Sequence, residues 1–166
     1  MAETTEQLPS ALGSYSQFRW AGDMLYLAGQ VAVDPANNRT IRGYEDLPPD
    51  IAAKLATGKM SIDSKEGPIA AQTWWVFHTI QTILEHEGAS LQNVVRMVQY
   101  LRDLRDFPVF DRVRALFFPE NPPASTVIQV SELLPTPASL LEVDATAYVP
   151  GRSAREGEND LRDTAP

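Results

Sequence analysis

The stretch LLEVDATAY, Leu140 to Tyr148, sets the frame for the whole chain. Leu141, Val143, Ala145 and Ala147 alternate with Leu140, Glu142, Asp144, Thr146 and Tyr148. A period of two is that of a β-strand with one face buried. The odd-numbered face is apolar, and the other carries two carboxylates. The preceding run STVIQV, Ser125 to Val130, is a strand by composition. Thr126, Ile128 and Val130 share one of its faces; Ser125, Val127 and Gln129 share the other. Both faces are largely apolar, which predicts burial on both sides. In a small domain that second layer is most readily supplied by oligomerisation.

Working outward, Pro68 to Glu87 places Ile69, Thr73, Val76/Phe77, Ile80 and Ile83/Leu84 at three-to-four spacing, with Gly88 as a stop. A helix is predicted there. Asn93 to Leu101 is rich in β-branched and aromatic residues and reads as a strand, with a helix as the alternative. Asp106 and Pro108 mark a cap and first turn of a second helix, carrying Val109/Phe110, Val113 and Leu116/Phe117 to Pro119. Near the start, Phe18–Trp20 and Met24–Ala28 flank Ala21-Gly22-Asp23 as a hairpin. Gly29 interrupts the second run, where a bulge or a close backbone approach is the usual reason. Asp34 to Asn38 is a turn cluster. Residues 39–67 read as a long excursion with one short helix, started by Pro48-Pro49 and ended by Gly58. Strand, strand, helix, strand, helix, strand, strand predicts a two-layer α+β domain: a mixed sheet with two helices packed on one face. The expected boundaries are a polar leader at 1–11, the domain at 12–149 with an inserted segment at 40–66, and a charged, mobile tail at 150–166.

Bulk composition narrows the chemistry. The 166 residues fit one domain. There is no cysteine, which removes thiolate nucleophiles, Cys-based metal sites and disulfides. Two histidines, His78 and His86, supply a His-rich metal site or a Ser-His-Asp triad poorly. The net charge of −8 argues against a nucleic-acid partner. The N-terminus reads as lacking a signal peptide, and no apolar run approaches the roughly 20 residues of a membrane span. A cytoplasmic protein without metal or cofactor is expected.

Each candidate residue carries two readings. Glu142 and Asp144 are paired carboxylates that can activate water, or a solvated strand face. Arg102 and Arg105 lie where a strand gives way to a helix and suit carboxylate ligands, or pair with Asp103 and Asp106. Tyr15 is a loop tyrosine able to bond a ligand, or packing. His78, beside Trp74 and Trp75, reads as a core or interface residue, and His86 suits the end of a helix dipole.

GSYSQ, YLAGQVAVDP, ILEHEGASLQNVVRMVQYLRDLRDF, PPASTVIQVSELLP and LLEVDATAYV, in that order and spacing, resemble the RidA family, also called YjgF, over roughly Leu12 to Val149. The resemblance implies a chorismate-mutase-like fold and a homotrimer with small-molecule clefts between subunits. The activity it implies is cofactor-free hydrolysis of reactive imines or enamines to a carbonyl compound and ammonia. Glu142 matches the glutamate that positions the hydrolytic water, Tyr15 a cleft tyrosine, and Gly29 a turn glycine. Where deaminating members have a substrate-clamping arginine, this chain has Ser125, followed by Thr126. Losing such a clamp costs on the order of 2–4 kcal/mol of binding. Arg105 falls where many members have asparagine, and is the expected source of the missing charge. Three readings stay open: a deaminase with altered substrate preference, a non-catalytic metabolite-binding trimer, and an interaction scaffold.

Overall fold

The computed structural model describes residues 11–152. The expected leader, except Ala11, and the tail from residue 153 lie outside them. Strands β1 (Phe18–Ala21) and β2 (Met24–Leu27) pair antiparallel around Gly22, whose φ of 58° suits glycine. After β2 come two-residue strands β3 (Gln30–Val31), β4 (Val33–Asp34) and β5 (Arg39–Thr40). Helices α1 (Pro49–Leu55) and α2 (Met60–His86) follow, then strand β6 (Val94–Leu101), helix α3 (Phe107–Phe117), and strands β7 (Ala124–Gln129) and β8 (Leu141–Tyr148). The main sheet runs β1-β2-β8-β6-β7, with β3 also on β8. Its pairs are antiparallel except β6 with β7.

The alternation in LLEVDATAY appears as burial. Leu141, Val143, Ala145 and Ala147 are buried with Leu25, Leu27, Met97 and Leu101 beneath α2 and α3. From the helices come Ile69, Val76, Phe77, Ile80, Ile83 and Leu84 of α2, and Phe110 and Val113 of α3. Each such side chain contributes about 1.5–3 kcal/mol on leaving water. Phe77 anchors the layer, its ring centroid 5.9 Å from Phe110 and 5.5 Å from Phe117. The sheet's other face carries Tyr26, Val98, Tyr100, Thr126, Ile128, Asp144, Thr146 and Tyr148. Within one chain it stands open: Tyr26, Ile128 and Tyr148 are each more than 40% exposed.

Two expectations change. The long helix starts at Met60, eight residues before Pro68, so Pro68 sits inside it. A proline there removes one amide donor and crowds the preceding turn. At the neighbouring Gly67 a Cβ would come within 3.3 Å of the Tyr44 ring, which would have to give by a few tenths of an ångström. The early turns are tied down instead by Asp63, which accepts from Thr57 N (2.8 Å), Thr57 Oγ1 (2.8 Å) and Gly58 N (2.9 Å). Arg112 of α3 adds a 2.8 Å ion pair with Glu66. Residues 40–66 therefore hold α1, as expected, and also a 3-10 turn at Tyr44–Asp46 and the start of α2. Beyond β8, Gly151 N donates to Asp23 Oδ2 at 3.2 Å, and the Arg152 guanidinium lies 4.5 Å from the Trp20 ring centroid. The first residues of the expected tail are thus held against the β1–β2 hairpin.

Candidate active site

A bulge builds the site. Tyr26 pairs with Thr146, and Gln30 pairs with Val143. Four steps along β2–β3 thus oppose three along β8, so one extra residue is accommodated at Ala28-Gly29. Buried Gln30 fastens this kink: its Nε2 donates to Ala28 O at 2.8 Å and to Gln17 Oε1 at 3.2 Å. Gly29 then lies against Glu142. A Cβ at position 29 would stand 1.9 Å from Glu142 Oε1, 2.7 Å from Cδ and 3.0 Å from Cγ. The glycine foreseen as a bulge or a close approach is both.

Glu142 is partly buried, and no described residue hydrogen-bonds its carboxylate. Burial pushes its carboxyl above the ordinary glutamate range, and the charge of Asp144 adds to the rise. Asp144 is itself raised by burial, offset by the Tyr100 hydroxyl, which donates to Asp144 Oδ2 at 3.2 Å. Tyr100 is the register partner of Glu142. Two carboxylates and a phenol thus share one patch of the open face, with Glu142 at its cleft end. A carboxylate with vacant lone pairs and a raised proton affinity can hold a water and accept its proton.

The cleft beside Glu142 holds about 590 Å3, within the usual range for small-ligand sites. Tyr15, Gly29 and Glu142 all line it, so three of the residues singled out in the sequence converge. Tyr15 is half exposed, its hydroxyl accepting from Leu12 N at 3.3 Å. Leu12, Val31, Leu134 and Pro135 complete an apolar wall, and the Leu134–Pro135 peptide is cis. A smaller cavity of about 260 Å3 shares Leu12, Tyr15, Gly29 and Val31 and continues toward Gln17 and Gln30.

Ser125, Thr126 and Arg105 are not brought to this cleft within one chain. Thr126 pairs with Val98, which pairs with Asp144. Two strand spacings and two residues separate Thr126 from Glu142, roughly 12 Å. Thr126 Oγ1 receives a long 3.5 Å contact from Arg96. Ser125 points to the helix face, where its Oγ accepts from Arg114 Nη1 of α3 at 3.3 Å. Arg114 also pairs with Asp111. Arg105 is highly exposed, and its Nε donates to both Asp103 oxygens at 2.9 and 2.8 Å. These bonds hold the Asp103 carboxyl down at about 2. The local pairing weighed for Arg105 is present.

His78 stacks on Trp74 at 4.7 Å, and His86 Nδ1 lies 2.9 Å from Glu87 Oε1. Among the described residues no group of three or more His, Asp or Glu is placed to hold a metal. None of their helices is long and apolar enough to cross a membrane. Sequence reasoning missed the Leu134-Pro135 wall and the Arg114–Ser125 contact. The SELLPTP turn gave a proline signal without a direction, and Arg114 differs from any surface arginine only through tertiary contact.

A family model described as Endoribonuclease L-PSP matches residues 5–149. A RutC family protein of Pyrococcus abyssi is 35% identical over 144 residues, 87% of this chain and 93% of that one. The 3-aminoacrylate deaminase RutC of Acinetobacter baylyi is 41% identical over 83 residues, 50% of this chain and 64% of that one. A Klebsiella pneumoniae structure, provisionally assigned as an endoribonuclease, matches with a TM-score of 0.80 at 43% identity, over 82% of this chain and 100% of that one. With the bulge, the open sheet face and the Gly29–Glu142 contact in place, the chain belongs to the Endoribonuclease L-PSP family, that of the RutC, RidA and YjgF proteins.

Proposed function

We propose that this protein hydrolyses a reactive imine or enamine to a carbonyl compound and ammonia, without a cofactor. The observation that carries the reading is the Glu142 carboxylate, cradled on Gly29, unpaired by any described residue and raised in proton affinity by burial. Glu142 takes a proton from water as its oxygen bonds to the imine carbon. It returns that proton to nitrogen to give the carbinolamine, then carries the hydroxyl proton to the same nitrogen as the carbonyl forms, the carbon–nitrogen bond breaks and ammonia leaves. Tyr15 orients the substrate in the same cleft. Relatives named as a 3-aminoacrylate deaminase and a 2-iminobutanoate/2-iminopropanoate deaminase support this reaction class.

The assembly proposed is a homotrimer joined through the open sheet face. The exposed Tyr26, Ile128 and Tyr148 support it, because large apolar side chains on an open sheet face gain by leaving water. Ser125, Thr126 and Arg105, remote from Glu142 within one chain, would then close the cleft of a neighbouring subunit. Nothing in the net charge of −8 favours a nucleic-acid substrate.

The test is direct. Imines are generated enzymatically in the presence of the protein, and ammonia release is followed by a coupled assay. Acceleration that is lost in Glu142→Gln supports the reading; a rate equal to the uncatalysed one for every imine offered refutes it.

A further inference from the structure

We propose that the cleft selects imines that carry an apolar substituent and no carboxylate. This rests on the deaminase reading and names its substrate class. Leu12, Val31, Leu134 and Pro135 present hydrocarbon to the ligand, and Tyr15 adds a ring. Leu134 is 80% exposed in the chain, so its side chain is open to an apolar ligand in the cleft. The one acidic side chain among the described lining residues is that of Glu142, which brings a negative charge to the cleft when ionised. That charge attracts a protonated imine and repels an imino acid.

Arg105 and Arg114, which stand away from this cleft within one chain, do not reverse this field. The Arg105 guanidinium is taken by both oxygens of Asp103, and Arg114 is taken by Asp111 and Ser125. Each cation presents a compensated charge. A compensated pair binds a third, anionic partner only by giving up bonds it already has. The walls therefore reward apolar surface, and Glu142 penalises a second carboxylate.

The chemistry balances with water alone. The water oxygen bonds to the imine carbon, the carbon–nitrogen bond breaks, and the products are an aldehyde or ketone and ammonia. No oxidant or reductant takes part.

A matched pair of substrates isolates the carboxylate. The imine of phenylacetaldehyde, formed from phenethylamine by an amine oxidase, differs from 2-imino-3-phenylpropanoate, formed from phenylalanine by an amino-acid oxidase, only in that group. A matched pair of binding probes, phenylacetone and phenylpyruvate, differs as methyl against carboxylate and needs no turnover. The expected result at pH 8 is at least about tenfold faster hydrolysis of the carboxylate-free imine and at least about tenfold tighter binding of phenylacetone. Glu142→Gln, read by binding only, should narrow the phenylacetone–phenylpyruvate gap by at least about threefold. A merely steric preference would leave that gap in place. Equal or tighter binding of phenylpyruvate overturns the proposal, as does failure of both ketones to bind, or an unchanged gap in Glu142→Gln. A clear preference for phenylacetone with no acceleration of either imine would refute the deaminase reading and leave the ligand class standing.

Discussion

Replacing Gly29 by alanine tests the centre of the site with a single methyl group. A Cβ there would lie 1.9 Å from Glu142 Oε1, where real Cβ atoms essentially never come closer than 3.0 Å. The carboxylate must therefore retreat by at least 1.1 Å. It is the far end of a flexible side chain, so it moves rather than the backbone. An off-rotamer side chain costs about 0.5–1.5 kcal/mol, so the fold should survive with a small drop in melting temperature. Catalysis has less tolerance: a misplacement of about 1 Å in a reacting group costs on the order of 100-fold. The expected result is a fall of about 100-fold in kcat/KM for imine hydrolysis, with circular dichroism unchanged. Added to Glu142→Gln, the same substitution should cost little more, because the group it displaces has already lost its function. Full activity in Gly29→Ala would mean that catalysis does not depend on where this carboxylate sits. A further large loss in the double variant would mean that Gly29 acts through something else.

Other expectations can be checked with the same protein. Because Glu142 must be ionised to accept a proton and its carboxyl is raised, activity should fall as pH drops through a value above the ordinary glutamate pKa of about 4.3. Asp144→Asn removes the second cause of that rise and leaves burial, so the acid limb of kcat/KM should move to lower pH; a limb that stays in place refutes the coupling. Arg105→Ala should leave phenylacetone affinity within about twofold, since Asp103 already holds the guanidinium; a large loss for phenylpyruvate alone would instead restore Arg105 as the source of charge read from the sequence. Ser125→Arg would set a second guanidinium beside Arg114 and should lower the melting temperature by about 2–4 °C per kcal/mol of repulsion, an effect that Arg114→Gln relieves. Ile128→Asp on the open face should convert a three-chain mass in light scattering to that of one chain. An unchanged mass would move the proposed interface elsewhere.

The sequence by itself determined the layer structure. LLEVDATAY could serve only one buried face, and its odd-numbered side chains are indeed the ones beneath the helices. Hydrophobic period is a local property, so strands and the core face of α2 could be read without tertiary knowledge. The start of α2 could not. Pro68 is a local signal for a first turn, whereas the bonds of Asp63 to Thr57 and Gly58, and of Glu66 to Arg112, hold the helical turns that precede it. Glu142 and Gly29 were legible as separate candidates; that one requires the absence of the other's side chain was not, because 113 positions separate them and a bulge aligns them. Only the tertiary structure decided where charge is available. Arg102 and Arg105 suggested carboxylate ligands by residue type and place. Contact with Asp103 compensates the Arg105 cation, and a pair interaction of this kind depends on distance, which sequence does not carry.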